Sequence, residues 1–156
     1  MEIRIVTKKY GRSPLDKALC KLELEEFARR VIRGTEQSEG AKLELLFSLP
    51  GIFAMELLYR GASVRLIKEG DVFRVMEKSE KSAILLSVRI HDRDALKKLI
   101  AGKYSINLCV SQGRLSIAGA TEFFCVFTRI LNESDRVLLS SGKYRKMYLS
   151  EKSEKI

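Results

Sequence analysis

The spacing of hydrophobic residues near the start of the chain predicts an amphipathic helix over residues 14–33. Ser13 and Pro14 are typical of a helix start, because serine can cap free N–H groups and proline fits the first helical position. Gly34 is predicted to end this helix. The predicted core-facing residues are Leu15, Ala18, Leu19, Leu22, Phe27 and Val31.

The middle of the chain alternates between apolar and polar residues, which is typical of strands with one buried face. Turn residues divide it into four runs, at 52–60, 63–68, 72–78 and 83–90. Because the connections are short, these runs are predicted to form an antiparallel meander. Its apolar face would carry Phe53, Met55, Leu57, Tyr59, Val64, Leu66, Phe73, Val75, Ile84, Leu86, Val88 and Ile90.

Two short helices, a strand and an apolar helix are predicted next. Asp92 to Gly102 and Ser105 to Gly113 each begin with a good capping residue and end in a glycine. Residues 114–118 alternate and predict a strand, and residues 120–131 predict the apolar helix. The face of that helix combines Ala120, Phe123, Phe124, Phe127, Ile130 and Leu131, widened by Cys125 and Val126.

Other segments give weaker patterns. Residues 35–40 are polar and are predicted to form a loop, whereas residues 41–49 fit a helix or a strand. Residues 132–135 are polar, and the stretches 137–139 and 144–149 have no assignment. The whole pattern predicts an α+β fold in which helices cover one face of a sheet. The length of 156 residues fits a single domain.

The net charge of +9 is spread along the chain without a block of like charges. Such a charge favours anionic partners weakly, and weak contact with an anionic membrane surface is one possibility. The best nucleic-acid candidate is the basic and aromatic stretch 143–148, but six residues make few phosphate contacts. A solvated surface explains this stretch better, so no specific nucleic-acid partner is expected.

Catalytic and metal-binding patterns are weak in this sequence. His91 and Asp92 are a conceivable acid–base pair, but Asp92 is better explained as a helix cap. The one histidine and three dispersed cysteines do not give the clustered ligands of a metal site. The cysteines have apolar neighbours and are predicted to be buried thiols of a reducing cytoplasm. The sequence therefore predicts a cytoplasmic, non-enzymatic protein without a cofactor.

The order of motifs after residue 50 resembles the sterol carrier protein type-2 domain. The resemblance begins at Gly51 to Ala54 and includes the helix DRDALKKLIAGK, which ends in Gly102 and Lys103. It continues through QGRLSIAG, from Gln112 to Gly119, into the apolar helix. The similarity covers residues 14–131 and leaves residues 132–156 as a C-terminal extension.

This resemblance implies a five-stranded, mostly antiparallel sheet with helices on one face. It also implies a tunnel for a fatty acid, acyl-CoA, sterol, isoprenoid or phospholipid. The predicted lining residues are Phe53, Leu57, Leu66, Val75, Phe123, Phe124, Phe127, Ile130 and Leu131. The alternative is that the phenylalanines fill the interior, which would make the chain a non-catalytic interaction or accessory domain. Such a domain would act as a homodimer or as a partner subunit.

Overall fold

The computed structural model describes residues 14–140, which form five helices and five strands. The helices are α1 (Pro14–Gln37), α2 (Glu39–Ser48), α3 (Arg93–Ala101), α4 (Ile106–Ser111) and α5 (Thr121–Ser140). The strands are β1 (Ala54–Tyr59), β2 (Ala62–Glu69), β3 (Val72–Val75), β4 (Ile84–Ile90) and β5 (Leu115–Gly119). The unassigned stretch 144–149 and the basic stretch 143–148 lie outside the described residues.

The five strands form one sheet in the order β3-β2-β1-β4-β5. The β1–β2, β2–β3 and β4–β5 pairs are antiparallel, which confirms the mostly antiparallel sheet. The predicted meander is wrong, because β4 lies parallel to β1 rather than antiparallel to β3. The first two connections are tight hairpins, whereas residues 76–83 are long enough to return the chain past β2 to β1.

The large core lies on the face of the sheet that the helices cover. Helix α1 contacts β2 and β3 and packs against α2 and α5. The opposite face carries a small cluster of Ala54, Ile67 and Met76, with Ile84 packed against it. Ile84 was predicted to face the large core, but a register shift places Ala54 opposite Ile84 and Met55 opposite Leu86. The extra residue moves Ile84 to the other face.

Helix α1 is confirmed, but its buried face and its end differ from the prediction. The leucines at positions 15, 19 and 22 are exposed. Ala18 is exposed as well, whereas Phe27 and Val31 are buried as predicted. The other buried residues of the helix are Cys20, Leu24, Ala28, Arg30, Gly34 and Thr35. The helix runs through Gly34 to Gln37, and a glycine is needed here because a methyl group at this position would overlap the side chain of Ser134 in α5. This glycine allows two helices to approach closely.

The predicted loop at 35–40 is also wrong. Helix α1 continues to Gln37, and Ser38 caps α2 by accepting a hydrogen bond from the Ala41 N–H at 3.1 Å. The ambiguous stretch 41–49 therefore belongs mainly to a helix.

The predictions around α3, α4 and β5 are confirmed. Asp92 caps α3, and Gly102 follows it in the left-handed conformation at φ 74°. Ser105 caps α4, and residues 115–119 form β5.

Helix α5 continues well beyond its predicted end at Leu131. The polar residues beyond Leu131 pack against α1. Ser134 is buried against Gly34, and Asp135 forms an ion pair with Arg30. None of the helices within residues 14–140 is long and apolar enough to cross a membrane.

Candidate functional site

Most of the nine predicted lining residues come together between the sheet and α5. Those that are fully or almost fully buried in the main core are Phe53, Leu57, Leu66, Phe127, Ile130 and Leu131. Phe123 and Phe124 are half-buried and pack against the same core. Val75 is different, because 53% of its surface is exposed. The structure thus groups eight of the nine residues, while the tunnel itself stays a prediction.

Aromatic rings occupy the space near the first turn of α5. Phe123 packs edge-to-face on Phe53, with 5.4 Å between the ring centroids. Phe53 also lies beside Phe73, at a centroid distance of 6.4 Å. These contacts are those of a packed interior, and they extend from the sheet to the half-buried start of α5.

Val75 lies in a groove of about 640 Å³ between α1 and the β2–β3 edge of the sheet. Its apolar lining comprises Ala28, Val64, Val75 and Met76, and its charged lining comprises Lys21, Glu25, Arg29, Arg65, Glu77, Lys78 and Glu80. Glu80 accepts hydrogen bonds from both terminal nitrogens of Arg74, at 2.6 and 2.8 Å. These bonds lower the pKa of the Glu80 carboxyl to about 2. The groove therefore carries mixed charges, several of which are already paired.

The largest exposed apolar side chains of the middle of the chain lie on and just after α2. Leu43, Leu46 and Phe47 share one side of the helix, because residues three and four apart are neighbours on a helix surface. Ile52 follows in the turn before β1, and both Phe47 and Ile52 are 76% exposed. We call Leu43, Leu46, Phe47 and Ile52 the α2 apolar face.

The packing of α2 on α5 places the end of α2 near the beginning of α5, which carries Phe123. Ser38, before α2, donates a hydrogen bond to the carbonyl oxygen of Glu133 at 3.3 Å. Further along, Arg129 donates one to Glu44 at 3.1 Å. The two helices are therefore antiparallel, and the end of α2 lies beside the beginning of α5. The exposed apolar residues at the end of α2 are thus on the same side of the molecule as the start of α5, where the half-buried Phe123 contacts Phe53 of the core.

A lysine lies beneath the same end of α2. Lys68, at the end of β2, is only 9% exposed. Its ammonium donates hydrogen bonds to the carbonyl oxygens of Leu46 and Leu49, at 3.2 and 3.0 Å. Burial lowers the pKa of Lys68. The sequence held a signal for this, because a period of two places Lys68 on the same face as Val64 and Leu66.

His91 and Asp92, the residues of the acid–base pair, have structural partners. Asp92 accepts hydrogen bonds from the Ala95 N–H at 2.8 Å and from Arg114 at 2.8 and 3.0 Å. These partners, Arg114 foremost, lower the pKa of Asp92 to about 2. The ring of His91 lies against Ser116 instead. Asp92 is thus a helix cap, as predicted.

Two of the three cysteines are buried as predicted, and the third is not. Cys20 and Cys109 belong to the main core, but Cys125 is exposed. Its position is almost opposite Phe127 around α5, since two residues advance a helix by about 200°. Within residues 14–140, no three histidine, cysteine, aspartate or glutamate side chains are grouped as metal ligands.

No family model and no curated protein matches this chain. Among solved structures, it is similar to the UbiJ-SCP2 ubiquinone synthesis protein, with 15% identity and a TM-score of 0.46 over 87% of this chain and 92% of the other. It is also similar to sterol carrier protein 2 from Yarrowia lipolytica, with 15% identity and a TM-score of 0.45 over 70% and 87%.

A third similarity is to the sec-alkylsulfatase Pisa1 from Pseudomonas sp., with 12% identity and a TM-score of 0.45 over 57% of this chain. The match covers 14% of the length of that sulfatase. Sterol carrier protein 2 domains, the family that the sequence resembles, are thus among the solved structures similar to this chain.

Proposed function

We propose that this protein is a non-catalytic, cytoplasmic binder of a lipid or another ligand with an apolar chain. The observation that carries the proposal is the α2 apolar face, where Phe47 and Ile52 each expose 76% of their surface. Exposed apolar groups that lie together are typical of binding surfaces. The half-buried Phe123 lies at the same end, so a bound chain would contact apolar groups from α2 to the start of α5.

The energetics of this surface suit a single acyl chain. Burial of one methylene group contributes roughly 0.8 kcal/mol, so about ten methylenes would contribute ~8 kcal/mol before the cost of ordering the ligand. After an association cost of about 4 kcal/mol, ten methylenes would give a dissociation constant near the millimolar range, and about fifteen methylenes are needed to reach the micromolar range. The sequence resemblance to sterol carrier protein type-2 domains favours the same class of ligand. Fatty acids, acyl-CoAs, sterols, isoprenoids and phospholipids all belong to this class.

The direct test measures binding of an anthroyloxy-labelled stearate to the full chain by fluorescence. Replacing Phe47→Ser and Ile52→Ser together is expected to weaken binding about 30-fold, since each side chain would lose roughly 1 kcal/mol of apolar contact. Leu15→Ser is the matched control, because Leu15 is also exposed but lies at the far end of the 24-residue helix α1. Equal affinities for the wild type, the double variant and the control would contradict the proposal.

The second candidate function is a non-catalytic interaction or accessory domain with a filled core. It is favoured by the packing of Phe53 against Phe73 and Phe123, where the sequence predicted a tunnel. A domain of this kind would use the α2 apolar face to bind a second copy or a partner subunit. Light scattering after size-exclusion chromatography would then show a dimer that Phe47→Ser disrupts. A monomer that takes up the labelled stearate would count against this candidate.

A further inference from the structure

We infer that Lys68 binds the anionic head group of the ligand, so that the preferred ligand is a single-chain carboxylate rather than a neutral lipid. This inference rests on the proposed lipid-binding function and specifies its ligand. It starts from the position of one ammonium group beneath the α2 apolar face.

The charge of Lys68 lacks a carboxylate partner within the described part of the chain. Its side chain is 9% exposed, and none of the salt bridges between residues 14 and 140 includes it. The arginines of the neighbouring positions differ in this respect, since Arg65 pairs with Glu56 at 3.1 Å and Arg74 pairs with Glu69 at 2.8 Å. A buried charge is unfavourable unless it is paired and hydrogen-bonded.

The two carbonyl groups at the end of α2 compensate this charge in part. A lysine ammonium has three N–H donors, and the oxygens of Leu46 and Leu49 accept hydrogen bonds from two of them. The carbonyl end of a helix is equivalent to about half a negative charge. The arrangement therefore retains a donor and a net positive charge, both of which a carboxylate would neutralise.

Leu46 connects the ammonium to the apolar surface. Its carbonyl oxygen accepts from Lys68, while its side chain belongs to the α2 apolar face. The bond to Leu46 is part-buried, whereas the bond to Leu49 is buried, so the ammonium lies at the edge of the core. A ligand with its head group at Lys68 would thus have its chain beside Leu46 and Phe47.

The experiment compares decanoate with decanol by titration calorimetry on the full chain. These ligands share a chain and differ in head-group charge. We expect the wild type to bind decanoate at least ~10-fold more tightly, because a charge-assisted hydrogen bond discriminates by about this factor. Lys68→Met retains an apolar stem and is expected to bind both ligands equally.

Arg65→Met is the matched control, because it removes one positive charge from the opposite face of the same strand. It is expected to retain the wild-type preference for decanoate. A wild type that binds decanol as tightly as decanoate would overturn the inference but leave the proposed function standing. A wild type that binds neither ligand would overturn the inference, and the labelled-stearate titration then decides whether the proposed function stands.

The comparison does not depend on the stability of Lys68→Met. If that variant fails to fold, equal wild-type affinities for decanoate and decanol would still overturn the inference. Lys68→Arg gives a second measurement, because it keeps a positive charge and is expected to keep the preference for decanoate. A loss of preference in Arg65→Met equal to that in Lys68→Met would show a general charge effect and would also overturn the inference.

Discussion

The carboxylate of Asp92 is expected to make protein stability depend on pH in the acidic range. It caps α3 and binds Arg114 through two hydrogen bonds, which hold its pKa at about 2 instead of 3.8. A group with a lower pKa in the folded state stabilises the protein above its unfolded pKa. This stabilisation is therefore complete above about pH 4 and is lost as the pH falls from 3.8 towards 2.

The size of this effect follows from the shift and the exposure of the group. The pKa shift of Asp92 alone corresponds to a stabilisation of the folded state by at most ~2.5 kcal/mol. The side chain of Asp92 is 40% exposed, so solvent screening reduces its contribution to about 1 kcal/mol. At pH 7, Asp92→Asn is expected to lose about this amount, because asparagine still caps a helix but carries no charge. Asp92→Ala also loses the cap and is expected to cost about 1 kcal/mol more.

Urea unfolding of the wild type and both variants, measured at pH 7 and at pH 2.5, provides the assay. The difference between the wild type and Asp92→Asn is expected to shrink at the lower pH, whereas the difference between the two variants is expected to persist. Two results would refute this reasoning. One is an equal stability of both variants at pH 7, and the other is an unchanged advantage of the wild type at pH 2.5.

Two further predictions concern single positions. Gly119→Ala is expected to lower the free energy of unfolding by more than ~2 kcal/mol, because Gly119 has φ 129° and an added methyl group would overlap the backbone of Leu85. Gly51→Ala, where the added methyl group has open space, is the control in the same urea assay, and equal losses would contradict this account. In the native protein, a thiol reagent is expected to modify Cys125 rapidly and the two buried cysteines only after unfolding. If all three thiols reacted equally fast in the native protein, the burial of Cys20 and Cys109 would be contradicted.

The parts of the fold that local sequence determines were predictable. The caps at Asp92 and Ser105 follow from a side-chain oxygen that reaches an N–H three residues later, at 2.8 and 3.1 Å. The alternation along β1 and the residue before it follows from the period of two, which buries Phe53, Met55, Leu57 and Tyr59. Such features require no information about distant residues.

The features that sequence reasoning missed depend on contacts between distant segments. The parallel pairing of β1 with β4 depends on the path of residues 76–83, and no local pattern specifies it. The continuation of α1 through Gly34 depends on Ser134, a hundred residues away. Gly34, a residue type that usually ends a helix, serves a tertiary contact instead.

The candidate site was predictable only where a local pattern determines it. The apolar positions of α5 and the sheet form the core, because periodicity identifies which residues face inward. Val75 was misplaced because β3 lies at the edge of the sheet, where an inward-facing residue borders the groove beside α1. The α2 apolar face was missed because residues 41–49 fitted both a helix and a strand.

The assignment of α2 as a helix changes where an apolar ligand is expected to bind. In a strand, Leu43 and Leu46 would point to opposite faces, whereas in a helix they adjoin Phe47 on one surface. The interior that the sequence suggested as a tunnel is occupied around Phe53 by packed rings, so a chain entering there would have to displace them. A chain on the α2 apolar face would displace none of these rings, and the ammonium of Lys68 donates a hydrogen bond to the carbonyl oxygen of Leu46, a member of that face. The packing and the charge therefore favour the same end of the molecule as the ligand site.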